Sequence, residues 1–243
     1  VSIPNDFSRA AASYDDHATL QQAVQQRLAR IMPPAAESAI LDAGCGTGTL
    51  AKLWPHAEII GLDIAEGMCR MAQQKQMPAI VADMTALPLD ENTMQGVFSS
   101  LALQWVAQPQ VFLQEAKRVT QPSGYLWLAT LGQKTLQELA QAYHSMNLQP
   151  PLLPFFGYDE LCVMLAESGW QVMAQASELR HTEHPSLKHL MQHLKQLGTR
   201  HKTTRHPLTR AKLYALEKAY PTQQEMLKAS WEVWYFVAQK INR

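Results

Sequence analysis

The chemistry-bearing pattern of this 243-residue chain lies at residues 39–48, Ala-Ile-Leu-Asp-Ala-Gly-Cys-Gly-Thr-Gly. Ile40 and Leu41 read as the end of a buried strand. Gly44, Gly46 and Gly48 follow as a turn in which the backbone can come close to a ligand. A helical pattern, Thr49 to Trp54, is expected to start at once, so free N–H groups would surround whatever binds at the turn. A second acid, Asp63, ends the apolar run Ile59-Ile60-Gly61-Leu62, about 20 residues past the turn, where a carboxylate can hold a ribose diol.

That spacing suggests a nucleotide cofactor, and a dinucleotide is the obvious rival. The dinucleotide pattern is G-x-G-x-x-G, opened by glycine with no acid before it. Here Asp42 precedes glycines that alternate, Gly44-Cys45-Gly46-Thr47-Gly48. An acid at that place would repel a pyrophosphate but could pair with an ammonium group. S-adenosylmethionine carries an ammonium, a sulfonium and no phosphate. Asp42-x-Gly44-x-Gly46-x-Gly48, with Asp63 and the later Ala82-Asp83, resembles the class I S-adenosylmethionine-dependent methyltransferases. The bland alternative is a plain glycine turn in some other α/β domain.

The elements that must position these residues alternate along the chain. Strands are expected at 39–42, 58–63, 79–83, 96–100 and 125–130, with helices at 66–74 and 109–119 and a turn at 121–124. This order predicts a parallel sheet with right-handed crossovers. Before it, Phe7, Ala10, Ala11 and Tyr14 fall at helical spacing, and a second helix is expected over 18–31 until Pro33-Pro34. Beyond Gly132 come expected helices at 134–146, 158–167, 185–198 and 208–220, and strands at 171–178 and 231–238. The fold expected is therefore α/β: a Rossmann-like, seven-stranded, mostly parallel sheet with helices on both faces. A helical insertion would lie over the carboxyl ends of its strands. Residues 1–243 would be a single domain, with 1–34 a helical lid and 35–132 the cofactor-binding core. Residues 133–230 would hold the acceptor-side helices and insertion, and 231–243 the last strand.

Composition narrows the function classes. Hydrophobic residues make up 47% of the chain and charged ones 17%, enough apolar surface for a sizeable core. The formal net charge of zero gives no general attraction to nucleic acid or to an anionic membrane. Cys45, Cys69 and Cys162 are far apart and odd in number, with neither a disulfide framework nor metal-ligand spacing. Together with the absence of a signal-peptide core or a long apolar run, this predicts a cytoplasmic protein without a metal site.

The methyltransferase resemblance implies roles for individual residues. Asp42 would meet the cofactor amino group, within the turn of Gly44, Cys45, Gly46 and Gly48. Asp63 would take the ribose hydroxyls. Ile64 and Met68 would pack on the adenine, Asp83 would accept from its exocyclic amine, and Met84 would lie beside the ring. Tyr14 and Arg9 are the candidate polar contacts of the lid. Ser99, Leu101, Gln104 and Trp105 follow the fourth strand and should border the transferring methyl. The segment Ser99-Ser100-Leu101-Ala102 lacks the Asp/Asn-Pro-Pro-aromatic signature of methyltransferases acting on amino groups of bases. No general base stands out, which favours an acceptor already ionised at neutral pH, such as a carboxylate.

A closer resemblance covers nearly the whole chain. The opening Phe7-Ser8-Arg9-Ala10-Ala11-Ala12-Ser13-Tyr14-Asp15-Asp16-His17-Ala18, with Leu20-Gln21, and the segment Leu101-Ala102-Leu103-Gln104-Trp105 are similar to the malonyl-acyl-carrier-protein O-methyltransferases of biotin synthesis. This implies an acceptor carboxylate on a malonyl thioester and an acyl carrier protein as partner, with no nucleic acid and no membrane. With a carboxylate as acceptor no residue need act as a general base, and rate would come from alignment. Between Glu183 and Glu217 the chain has no acidic residue but several cations, among which Arg200 and Arg205 are the candidates to meet the acidic partner or its substrate. Two readings stay open: a methyltransferase of another small acid or a quinone-type ring, and a non-catalytic binding module of the same fold.

Overall fold

The computed structural model describes residues 3–196, 209–223 and 226–241. Its strands are β1 (Ala39–Ala43), β2 (Glu58–Asp63), β3 (Ala79–Val81), β4 (Met94–Ser100), β5 (Thr120–Leu131), β6 (Trp170–His184), β7 (Thr222–Gln223) and β8 (Met226–Lys240). Its helices are α1 (Ile3–Ala10), α2 (Tyr14–His17), α3 (Thr19–Ile31), α4 (Glu66–Gln74), α5 (Pro109–Val119), α6 (Gln137–Ser145), α7 (Tyr158–Glu167), α8 (Leu187–Gln196) and α9 (Arg210–Ala219).

The sheet order is β3-β2-β1-β4-β5-β8-β6, and the short β7 pairs with β8 off that path. From β3 to β5 every pairing is parallel, while β8 runs antiparallel to both its neighbours. The expected seven-stranded, mostly parallel sheet is the one observed, with β7 as an addition. Successive residues explain why both faces are covered. Ile40 packs with Val24, Leu28, Trp54, Phe98 and Trp127 on one face. Leu41 packs with Val97, Phe112, Leu113, Leu126 and Phe236 on the other. A parallel strand buried on both faces reads as a continuous apolar run, as β1 does from Ala39 to Leu41 before Asp42. Helix α5 opens on Pro109, whose missing N–H costs nothing at that position, and buries Phe112, Leu113, Ala116 and Val119.

Several elements differ from the sequence expectation for identifiable reasons. The glycine turn leads not into a full helix but into a 3₁₀ turn at Leu50–Lys52. Pro55 follows closely and disfavours helical geometry at Trp54, whose indole instead donates to Ala29 O at 3.1 Å. Strand β3 stops at Val81, because Asp83 turns the chain by accepting from Thr85 N and Thr85 Oγ1, both at 2.8 Å. The expected turn at 121–124 is absorbed into β5, where Thr120 pairs with Met94 across an irregularity. Strands β6 and β8 outrun their expected 171–178 and 231–238, because their antiparallel pairing continues out to His184 opposite Leu227. The expected first N-terminal helix is broken into α1, a 3₁₀ turn at Ala11–Ser13 and α2. Among the described residues no helix is long and apolar enough to cross a membrane.

Candidate active site

A cavity of about 1120 Å³ lies over the carboxyl ends of the parallel strands. This is where open α/β sheets bind ligands. Of the residues singled out from sequence, Tyr14, Gly44, Gly46, Asp63, Ile64, Met68, Asp83, Met84, Leu101, Gln104 and Trp105 line it.

The glycine turn forms its floor. Gly44, Gly46 and Gly48 all have positive φ (80°, 52° and 76°), which a side chain would strain. At Gly44 an added Cβ would also lie 2.4 Å from Ala102 Cβ, so the turns after β1 and β4 press together there. At Gly46 an added Cβ would meet nothing, because the residue faces open space. Gly46 N donates to Asp63 Oδ2 at 3.0 Å, and Ala65 N donates to Asp63 Oδ1 at 2.8 Å. These donors tie the second acid to the glycine turn. Burial nevertheless raises the Asp63 carboxyl above its ordinary range, and its backbone partners only partly offset this.

Asp42 does not line the cavity. It is buried beneath the turn, with Oδ2 lacking any hydrogen-bond partner among the described residues. Burial, then repulsion from Asp63, push its pKa up to about 8. A buried carboxyl oxygen without a donor costs stability unless something cationic or protic reaches it. Cys45 and Gly48 also sit behind the surface. Cys45 is buried, and its thiol is pushed up by its contact with Cys69 and by burial. Gly48 packs on Ala72 and Met77, where a Cβ would be 2.8 Å from Ala72 Cβ.

Two candidates turn away from the cavity. Ser99 is fully buried and donates to Ala43 O at 2.9 Å, so its hydroxyl serves the β1–β4 junction. Arg9 pairs with Asp6 on the outer side of α1, which leaves it solvent-exposed. Arg200 and Arg205 lie outside the described residues.

The N-terminal helices close one wall. Asp15 accepts from Thr47 Oγ1 in the glycine turn at 2.6 Å and pairs with Lys75 beyond α4. Burial works against ionisation of Asp15, but the hydrogen bonds from Lys75 and Thr47 prevail and hold its pKa low. Gly67 N donates to Ser8 Oγ at 3.1 Å, and Phe7 meets Trp105 edge to face with centroids 5.5 Å apart. Burial, then Asp63 and Asp15, push the Tyr14 hydroxyl well up.

Sequence reasoning missed the far half of the chamber. Leu139, Tyr143, Trp231, Leu187, Met191 and Tyr214 line it, as do Lys188, Lys195 and Arg210. The acid-free run between Glu183 and Glu217 was a signal for those cations, but their direction was not legible. Gln21, named from sequence only as part of the opening match, also lines the cavity.

The group that fits is S-adenosylmethionine. An orphaned acid lies beneath a glycine floor, a second acid follows β2, and Ile64 stands 48% exposed into the cavity, where a flat ring would cover it. Among the described residues, the Lys and Arg side chains that line the cavity are Lys188, Lys195 and Arg210, on the helices beyond β6 and not at the glycine turn. Fold and site together define a class I S-adenosylmethionine-dependent methyltransferase.

Known proteins agree at both levels. The family description "Methyltransferase domain" matches residues 41–128. The chain is similar to the malonyl-[acyl-carrier protein] O-methyltransferase of Herminiimonas arsenicoxydans, with 35% identity over 79% of this chain and 75% of the relative. With that of Serratia marcescens it shares 32% identity over 97% and 94%. Among solved structures, the YcgJ protein of Bacillus subtilis superimposes with a TM-score of 0.66 at 14% identity, covering 91% of this chain and all of that one (100%). Geranyl diphosphate C-methyltransferase of Streptomyces coelicolor A3(2), solved with S-adenosyl-L-homocysteine, gives a TM-score of 0.56 at 12% identity, covering 91% and 80%. At those identities the structural likeness speaks for the fold alone. The chain belongs to the malonyl-[acyl-carrier protein] O-methyltransferase family.

Proposed function

We infer that this enzyme transfers a methyl group from S-adenosylmethionine to the free carboxylate of a malonyl thioester on acyl carrier protein, giving the methyl ester that primes pimeloyl synthesis for biotin. The observation that carries the reading is family membership along most of the chain. The shape of the site supports it. A cavity of about 1120 Å³ exceeds the usual volume for one small ligand, roughly 300–1,000 Å³, and so has room for a cofactor and an acceptor arm.

The cofactor supplies a methyl on a sulfonium, and a carboxylate oxygen can accept it without losing a proton first. The chain's own residues hold and align. Asp42 and the turn of Gly44 and Gly46 receive the amino-acid end. Asp63 takes the ribose, and Asp83, Met84, Ile64 and Met68 receive the adenine. Tyr14 and the N-terminal helices act as a lid that keeps water from the reacting groups. Leu101, Gln104 and Trp105 border the transferring methyl. Gln104 is fixed for this, since its Nε2 donates to Leu101 O at 2.7 Å and its Oε1 accepts from Thr130 Oγ1 at 3.2 Å. With no proton to move, rate comes from alignment. The cations Lys188, Lys195 and Arg210 stand on the exposed rim of the chamber, where an acidic carrier would dock.

The test is incubation with methyl-labelled S-adenosylmethionine and malonyl groups on acyl carrier protein or on a small thiol. Label in an alkali-labile ester on the carrier-bound malonyl group is expected. Label on free small acids or a quinone-type ring instead, with none on malonyl carrier, would overturn the reading.

A further inference from the structure

Helix α3 crosses the face of β4, β5 and β8, away from β2 and β3, where the acids for ribose and adenine stand. It is tied to the glycine turn at two points. Gln25 Oε1 accepts from Thr49 Oγ1 at 2.6 Å, one residue past Gly48. Gln22 Nε2 donates to Asp15 O at 3.0 Å, and the Asp15 side chain accepts from Thr47 at 2.6 Å. Gln21 lies one helical turn before Gln25, on the same side of the helix and roughly 5–6 Å away. Its side chain therefore stands over the glycine turn, and it lines the cavity. Its Oε1 is buried and has no hydrogen-bond partner among the described residues. Opposite, beneath the same turn, Asp42 Oδ2 is buried without a partner as well. Two orphaned acceptors thus flank the glycine turn, one on α3 and one at the end of β1. A buried amide oxygen without a donor is a cost the folded chain carries until a ligand brings one.

We propose that the Gln21 amide receives the amino-acid end of S-adenosylmethionine, closing over the glycine turn from the lid side while Asp42 serves it from below. The ammonium is the donor that both acceptors lack. The amide Nε2–H can in addition donate to the carboxylate of the same amino-acid group, which makes glutamine suited to a zwitterion. The lid then senses the cofactor through its amino-acid end, since Gln21 heads the helix to which α2 is tied through Gln22 and Asp15. This rests on the site being an S-adenosylmethionine site.

Calorimetry on the full chain with three ligands separates the possibilities. S-adenosylmethionine and S-adenosylhomocysteine carry the amino-acid end, while 5′-methylthioadenosine shares the adenosine and sulfur but lacks it. In Gln21→Met, which keeps length and removes both polar atoms, the first two should bind about tenfold more weakly or worse, as for a lost hydrogen bond to a charged group. Methylthioadenosine should stay within about twofold of wild type. Gln21→Glu, which keeps an oxygen in place, should recover most of the S-adenosylmethionine affinity. Equal loss for all three ligands in Gln21→Met would mean a role in folding and overturn the proposal. So would unchanged binding of all three, or a raised KM for the malonyl thioester at unchanged cofactor affinity, which would give Gln21 to the acceptor. Wild-type protein that binds none of the three would instead overturn the cofactor reading itself.

Discussion

At the scale of the residue, the informative groups are the buried ones without partners. Asp42 shows how such a group links structure to pH. Its pKa is raised to about 8 by burial and by Asp63, from an ordinary carboxylate value near 4 when unfolded. A group whose pKa rises on folding contributes stability that is complete below the unfolded pKa and is lost as pH climbs towards the folded one. The cofactor-free protein should therefore lose stability between about pH 4 and pH 8, by at most ~1.4 kcal/mol per pH unit from this group. Asp42→Asn should flatten that slope, which urea unfolding at a series of pH values would measure. Cofactor binding should have the opposite sign, because an ammonium favours the ionised carboxylate. At pH 7 wild type should release protons on binding S-adenosylmethionine, seen as a calorimetric heat that varies with buffer ionisation enthalpy. A wild-type proton release equal to that of Asp42→Asn would place the effect on another group.

At the scale of the element, two helical segments decide what the cradle can admit. The N-terminal helices dock through contacts with little tolerance. A Cβ at Gly67 would lie 2.6 Å from Ser8 O and 2.7 Å from Ser8 Cα. Gly67→Ala should push α1 off α4, weaken S-adenosylmethionine binding several-fold and speed proteolysis near residues 3–17. The thermal midpoint should change little, because the sheet core does not contain Gly67. Unchanged protease sensitivity would show that α1 is not held there. The insertion helices carry the other decision. Lys188 and Lys195 lie seven residues apart on α8, two helical turns along one face, and both line the chamber. Reversing both charges should slow methylation of carrier-bound malonyl groups more than that of a small malonyl thioester, and added salt should mimic the difference in wild type. Equal loss on both substrates without salt dependence would move these lysines from docking to the reaction itself.

At the scale of the whole molecule, the sheet is what holds the strand ends in one row. Trp127 stands at its centre, buried against Trp54 with ring centroids 5.1 Å apart, and its Nε1 donates to Met32 O at 2.6 Å. It links β5 to the loop that follows α3 and so joins that helix to the sheet. Trp127→Ala should destabilise the fold by about 3–5 kcal/mol through cavity formation, read as a lower urea midpoint at unchanged slope. A loss under about 1 kcal/mol would mean that neighbouring side chains refill the space. The antiparallel β8, placed between β5 and β6, completes this row and carries Trp231 to the chamber wall.

The sequence by itself determined the features that depend on neighbours in the chain. Glycines at 44, 46 and 48 announce positive φ, and an acid before them rules on ligand charge; both are local facts. Strand and helix positions from β1 to α5 follow from apolar period and turn residues in the same way. So does the presence of a basic run between Glu183 and Glu217. Only the tertiary structure decided which way side chains point and what covers them. Ser99 and Arg9 had suitable chemistry, but one faces the β1 carbonyl and the other solvent. In the sequence Gln21 belongs only to the opening match, with no role attached, because its place in the cavity wall depends on α3 lying over a turn about 25 residues away. The lengths of β6 and β8 were hidden for a related reason. Each strand is extended by pairing with the other, more than 40 residues away, and a β-ladder of that kind leaves no local period to read.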